Sequence, residues 1–247
     1  RYYDKAKRLL TLEVNACVQG LREGGADEVV VADGHGPGGI DPELLDPEVF
    51  LERGWPDGPW PLGLDKSFDA VAWVGQHAKS RSVRAHLAHT QSFRYFELSV
   101  NGVAIGEFGQ LAMCASELGV RSILACGDEA LTKEASRLVP GIETAWVKRG
   151  LRGDPGDELD CEEYSRWNTA AVHLHPERAR KAIRQAARRA VERFSTEDFG
   201  LIPLEPPFKR VTIFRRCADQ PKKIARESHP TSFIALMNTP YKPQPME

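Results

Sequence analysis

Residues 29–39 read VVVADGHGPGG and carry the strongest fold signal in the chain. Three β-branched apolar residues are followed by a polar, glycine-rich segment, which predicts a buried parallel strand that ends in a loop. Open α/β sheets bind their ligands at this edge, beyond the carboxyl ends of the strands. Asp33 and His35 lie there, and both side chains can bind a metal or carry a proton.

Apolar periodicity on both sides of this stretch predicts the rest of a layered fold. Helical spacing is found at 2–23, 111–118, 129–138 and 176–194, and apolar runs typical of strands are found at 28–32, 69–74, 95–100, 120–126, 144–148 and 210–215. The alternation favours the α/β class, with a three-layer core and a parallel-rich sheet plus a smaller C-terminal α+β segment. Because the composition changes near residue 150, we expect a catalytic core at 1–150 and the smaller segment at 151–247. Residues 36–66 are rich in Gly, Pro and Asp and predict a long connection with little regular structure.

Composition excludes several classes of function. A net charge of -2 gives no electrostatic field for holding nucleic acid. No apolar run has the length of a membrane span, and no signal-peptide pattern is visible, so we expect neither a membrane nor a nucleic-acid partner. Five cysteines without a CxxC pair predict reduced thiols and a cytoplasmic location. They are Cys17, Cys114, Cys126, Cys161 and Cys217.

Two further polar side chains are predicted near His35. His77 follows the apolar run at 69–74, and Glu107 follows the hairpin signal Asn101-Gly102. Imidazole and carboxylate groups are the usual ligands of catalytic zinc. The chain contains no HExxH helix and no GxSxG elbow, which leaves a metal-dependent hydrolase of another type. The alternative for Glu107 is a first-turn acidic residue that is favoured by the helix dipole.

Four short motifs occur together and in order, and they resemble one known family. They are ADGH at 32–35, GQHA at 75–78, AHT at 88–90 and VNGVAIGE at 100–107. Together they are similar to the D-aminopeptidase family of two-zinc metallopeptidases, of the dipeptide-transport D-aminopeptidase type. The likeness also includes the first helix and ACGD at 125–128, and it extends from residue 1 to about residue 150.

The resemblance implies a role for each matching residue. His35 and Glu107 would bind one zinc, and His77 would bind the other, with two zincs per subunit in the native-length protein. His89, rather than His86, would be the catalytic histidine beside the metals. Asp33 would orient His35 rather than bind a metal.

The family's first strand bears an S-x-D-x-E-G motif whose Asp bridges both zincs. That motif would lie upstream of Arg1, and a helix placed directly before a buried strand also predicts a preceding strand. Either the sequence given lacks its native N-terminus or the protein has lost the bridging carboxylate. We expect fewer than two zincs in the chain as given, because two close cations would repel each other without the bridge.

The expected function is zinc-dependent hydrolysis of short peptides, with N-terminal D-amino acids implied by the resemblance. Two alternatives stay open: another metal-dependent amidohydrolase, and a non-catalytic oligomeric relative that has lost the metal bridge. The resemblance also implies a homo-oligomer, with a ring as its form. The basic face of the helix at 176–194 is a candidate contact surface.

Overall fold

The computed structural model describes residues 2–55, 58–218 and 220–246. Along the chain, the helices and strands are α1 (Tyr2–Glu23), β1 (Val30–Ala32), β2 (Phe50–Glu52), β3 (Ala70–Gln76), β4 (Tyr95–Val100), β5 (Val103–Ala104), α2 (Glu107–Leu118), β6 (Arg121–Asp128), α3 (Glu129–Leu138), β7 (Glu143–Gly150), α4 (Cys161–Trp167), β8 (Ala171–His173), α5 (Pro176–Phe194), β9 (Phe208–Phe214), β10 (Lys223–His229), α6 (Phe233–Asn238) and β11 (Gln244–Pro245). Among these described residues, no helix combines the length and the apolarity that crossing a membrane requires.

The central sheet has the strand order β3-β6-β7-β8. Its first three strands are parallel, and β8 is antiparallel to β7. One core cluster packs α1 and α5 against this sheet, and another packs α2 and α3 against it. This confirms the α/β class and the three-layer core.

The helices α1 and α5 pack closely because glycine and alanine face each other between them. A Cβ atom on Gly20 would collide with the backbone oxygen of Arg184. Helix α5 buries Ala179, Ile183 and Ala187, as its periodicity predicts. Its arginines form ion pairs within the chain. Arg184 pairs with Glu23, Arg188 with Glu192, Arg189 with Glu143, and Arg193 with both Glu143 and Glu197.

A second sheet joins early and late parts of the chain, with the order β11-β10-β9-β4-β5. The β4–β5 connection turns at Asn101 and Gly102, whose φ angles of 49° and 83° fit the predicted two-residue hairpin. Strand β4 pairs with β9, so residues before and after position 150 share this sheet.

Strand β1 forms a two-stranded parallel sheet with β2. The three-residue strand β2 lies inside the connection at 36–66, where little regular structure was predicted. No described residue of β1 pairs with β3, so His35 and His77 do not follow neighbouring strands of one sheet.

The prediction of reduced thiols is wrong for Cys161 and Cys217, which form a disulfide. They are 56 residues apart in sequence, but the fold brings the start of α4 next to the segment that follows β9. The backbone N–H of Cys161 donates to the oxygen of Arg216 at 3.0 Å. The other three cysteines are free and buried: Cys17, Cys114 and Cys126.

Candidate metal centre

Three of the predicted site residues meet at one edge of the central sheet. His77 follows β3, His89 lies in the loop between β3 and β4, and Glu107 is the first residue of α2. Each offers one ligand atom, and these atoms lie within 4.8 Å of one another. Among the residues that the structure describes, no other group of three His, Cys, Asp or Glu side chains converges in this way.

The Glu107 carboxylate faces the Nε2 atoms of both imidazoles. Its Oε2 is 3.0 Å from Nε2 of His77, and its Oε1 is 3.9 Å from Nε2 of His89. The two rings stack at a centroid distance of 3.8 Å. The side chains are 18%, 21% and 25% exposed for His77, His89 and Glu107, so a ligand can reach them while much of their surface is shielded from water.

Backbone carbonyls fix the orientation of both imidazoles. Nδ1 of His77 lies 3.1 Å from the oxygen of Ala78, and Nδ1 of His89 lies 2.7 Å from the oxygen of Leu87. An Nδ1–H that donates to a carbonyl leaves the Nε2 lone pair available, which is the usual arrangement of histidines that bind metals. The imidazole of His77 and the carboxylate of Glu107 therefore fit a zinc ion, and the Nε2 atom of His89 beside them can accept a proton.

The buried Glu134 side chain of α3 joins the segments that carry the cluster. Its carboxylate accepts the backbone N–H of Lys79 at 2.9 Å and that of Gly106 at 3.2 Å. A Cβ atom at Gly106 would lie 2.9 Å from the Cα of Lys79, so this close approach requires glycine. Because Lys79 follows His77 and Gly106 precedes Glu107, the contact sets the distance between the two site residues.

The protonation states also suit metal binding. Burial raises the pKa of Glu107, but the hydrogen bond from His77 and the charges of His77 and His89 outweigh burial and bring that pKa to about 2. Burial, together with the charge of His77, lowers the pKa of His89 to about 4. At neutral pH the carboxylate is therefore ionised and the His89 imidazole is neutral.

His35 lies outside the cluster. It follows β1 in an exposed position, and its Nδ1 is 3.1 Å from the hydroxyl of Tyr3. Asp33 is buried, and its carboxylate accepts backbone N–H groups of His35, Gly39 and Ile40, which shapes the loop.

Sequence reasoning missed the residues that hold the loop around His89. The buried Asn168 side chain donates to the oxygen of Ala88 at 2.9 Å, and its backbone oxygen accepts the N–H of Leu87 at 2.8 Å. The hydroxyl of Tyr164 accepts the N–H of Arg81 at 2.9 Å. These contacts span about 80 residues in sequence, and no local pattern indicates them.

Comparison with known proteins gives concordant matches. A D-aminopeptidase of Bacillus subtilis (strain 168) is 31% identical over 154 residues, which cover 61% of this chain and 56% of the relative. The chain thus spans about half the length of this curated relative. The solved structure described as "Zn-dependent D-aminopeptidase DppA from Bacillus subtilis, a self-compartmentalizing protease" has the same fold. Its TM-score is 0.78 at 21% identity, with 96% of this chain and 86% of that chain covered.

A family match covers most of the chain. The profile of the family described as D-aminopeptidase matches residues 1–219, and this range includes the whole cluster of His77, His89 and Glu107. The chain belongs to the D-aminopeptidase family of peptidases.

Proposed function

We propose that the protein is a zinc-dependent aminopeptidase that removes N-terminal D-amino acids from short peptides. The observation that carries this proposal is the convergence of His77, His89 and Glu107 in a chain of the D-aminopeptidase family. The zinc and the D-amino acid are inferred from the relatives, which are a D-aminopeptidase and a Zn-dependent D-aminopeptidase.

His35 and Glu107 are proposed to hold one zinc, and His77 is proposed to hold the other. Zinc bound there would supply Lewis-acid chemistry, which polarises a carbonyl and acidifies water. Two zincs per subunit remain part of the proposal. The support for His35 is its place in the motif ADGH at 32–35, which lies within the range that the family profile matches.

His89 is proposed to carry the proton that the leaving amine needs. Its imidazole is neutral at neutral pH, so Nε2 can take up a proton and release it again. The contact with the Leu87 oxygen and the stacking on His77 fix the ring in one orientation. The neighbouring Glu107 carboxylate stabilises the imidazolium that forms in between.

A homo-oligomer, with a ring as its form, is also proposed. The description of the structural neighbour as self-compartmentalizing supports an assembly. Helix α5 remains the proposed contact surface, although several of its arginines are paired within the chain. Light scattering on the purified protein tests this, and a monomer at all concentrations would contradict it.

A cytoplasmic location is proposed on the basis of the three buried free thiols. The disulfide between Cys161 and Cys217 counts against it, because cytoplasmic thiols are kept reduced. Rapid alkylation of intact cells that express the protein decides the matter. Labelling of both cysteines supports the location, and protection of both contradicts it.

The activity is tested by incubating the zinc-loaded protein with D-alanyl-D-alanine and, in parallel, with L-alanyl-L-alanine and a panel of cyclic and simple amides. Release of D-alanine that a chelator abolishes and zinc restores is the expected result. Hydrolysis of the amides alone would favour another amidohydrolase. Zinc binding without any hydrolysis would favour a non-catalytic relative.

A further inference from the structure

A second row of titratable side chains crosses the same edge of the central sheet, and the proposed reaction does not use it. Asp128 of β6 is the register partner of Lys148 of β7, and Lys148 is the register partner of His173 of β8. The ring of His86 packs edge-on against that of His173 at a centroid distance of 5.3 Å. We call Lys148, His173 and His86 the basic row.

The Lys148 ammonium has no carboxylate partner in the described part of the chain, where no hydrogen bond and no ion pair within 4.0 Å involves it. The nearest candidate is Asp128, whose oxygens accept the backbone N–H of His86 at 2.9 Å and that of Ala130 at 2.7 Å. The bond from Ala130 caps α3, and the two bonds together hold the Asp128 carboxylate in place. Burial lowers the pKa of Lys148, and the charges of Asp128 and Glu13 oppose that shift. Burial also raises the pKa of Glu13, which disfavours its charged form.

The basic row is not a second metal site. The ligand atoms of His77, His89 and Glu107 lie within 4.8 Å of one another, and those of His86, Asp128 and His173 do not. Burial lowers the pKa of His86 to about 4, and burial also lowers the pKa of His173. Both imidazoles are therefore neutral at neutral pH, and each can donate one hydrogen bond while Lys148 supplies the positive charge.

The position of the basic row relative to His77 matches the length of a short peptide. Gln76, which precedes His77, is the register partner of Gly127, and the next residue, Asp128, is the partner of Lys148. Two strand spacings of about 4.8 Å give about 10 Å between the backbones at His77 and Lys148. An extended peptide residue spans about 3.4 Å, so one or two residues after the scissile bond bring a carboxylate within reach of a lysine side chain.

We propose that Lys148 and His173 bind the C-terminal carboxylate of the substrate, which makes the proposed aminopeptidase selective for dipeptides and tripeptides with a free carboxyl group. The inference rests on the proposed function for the placement of the scissile bond. Lys148 is half-buried and His173 is exposed, so a ligand entering from solvent can reach both. A charge-assisted hydrogen bond to a carboxylate gains strength in such a partly desolvated place.

The test is calorimetric titration of the metal-free protein with D-alanyl-D-alanine and with D-alanyl-D-alanine amide, which lacks the carboxylate charge. We expect the acid to bind about tenfold more tightly than the amide, which corresponds to about 1.4 kcal/mol. Lys148→Met should remove this difference by weakening binding of the acid alone, and Lys148→Arg should retain most of it. Lys181→Met, an exposed lysine of α5, is the matched control and should behave like the wild type.

Equal affinities for acid and amide in the wild type would overturn the inference, as would an unchanged preference in Lys148→Met or no binding of either ligand. Circular dichroism on each variant shows whether it is folded, and Lys148→Gln replaces Lys148→Met if the latter unfolds. The proposed function can fail separately: a wild type that prefers the acid but hydrolyses neither ligand when loaded with zinc has the carboxylate site without the peptidase activity.

Discussion

Glu107 is the residue on which the candidate centre depends most. Its carboxylate faces both His77 and His89, and the backbone N–H of Gln91 also donates to it at 2.5 Å. A residue that is the first of a helix is often acidic only because of the helix dipole. Here the same position also brings the carboxylate to two imidazoles, so the two interpretations of Glu107 are compatible.

Replacing Glu107 with glutamine removes the negative charge and keeps the size of the side chain. We expect zinc affinity to fall by at least tenfold, because loss of even an outer partner of a metal ligand costs about 10–100-fold. The measurement is competition for zinc between the variant and a chelator of known affinity. Glu192→Gln on the exposed face of α5 is the control, and equal zinc affinity in Glu107→Gln and the control would remove Glu107 from the site.

His89 makes stability depend on pH in a defined direction. Its pKa is about 4 in the folded protein against an ordinary value of 6.5, so the unfolded chain binds a proton more readily. Its contribution is present above pH 6.5 and is lost as the pH falls toward 4. Glu107 acts in the same direction at lower pH, between its ordinary value of 4.5 and about 2.

The check is the Tm of the metal-free protein between pH 7 and pH 5, where Glu107 stays ionised. We expect the Tm of the wild type to fall on acidification and the fall to be smaller in His89→Gln. His86 and His173 also have lowered pKa values, so part of the slope should remain in that variant. An identical slope in both proteins would show that His89 titrates at its ordinary pKa.

Among the elements, long periodic segments are predictable from the sequence and short ones are not. The bounds of α1, α3 and α5 agree with the apolar spacing, and β4 agrees with its alternation. Strand β2 has three residues and forms only because β1 lies beside it. Such an element has no periodicity of its own.

Helix α4 could have been found from one local signal. Asp160 and Glu163 form a capping box, in which each side chain accepts a backbone N–H at the helix start. The role of the α4 region in holding the loop around His89 could not be predicted in this way. Asn168 and Tyr164 contact that loop from about 80 residues away in the sequence. The same limit applies to His35, whose distance from the cluster depends on which strands are neighbours.

Asn168→Ala tests the contact between the α4 region and the loop that carries His89. The change leaves the Ala88 oxygen without its donor, which costs about 1–2 kcal/mol of stability, and it lets the His89 ring move. We expect a kcat at least tenfold lower with an unchanged zinc content. Steady-state kinetics and elemental analysis measure the two effects. The exposed neighbour Thr169→Ala should change neither quantity, and an equally unchanged kcat in Asn168→Ala would contradict the positioning role.

At the scale of the whole molecule, the change in composition near residue 150 does not mark a structural boundary, because many contacts join residues before and after it. Strand β9 pairs with β4, α5 packs on α1, and β8 extends the central sheet at β7. Local composition records where the chain becomes polar, but it contains no information about pairing between distant strands. The division into 1–150 and 151–247 therefore stays a prediction about sequence organisation.

These shared sheets and helix contacts lead us to expect cooperative unfolding. Calorimetry and urea denaturation followed by fluorescence and by circular dichroism should give a single coincident transition, because neither segment retains its sheet without the other. Two separated transitions, with one assigned to residues 151–247 by proteolysis, would show that the two segments fold independently.

The most direct measurement on the central claim is the zinc content of the wild type, His77→Ala and His89→Ala after loading and dialysis. Elemental analysis gives the metal, and release of D-alanine from D-alanyl-D-alanine gives the turnover of the same samples. We expect the wild type to retain zinc, His77→Ala to retain less zinc than the wild type, and His89→Ala to keep its zinc but lose turnover. Equal zinc in the wild type and His77→Ala would contradict a metal centre at this edge of the sheet.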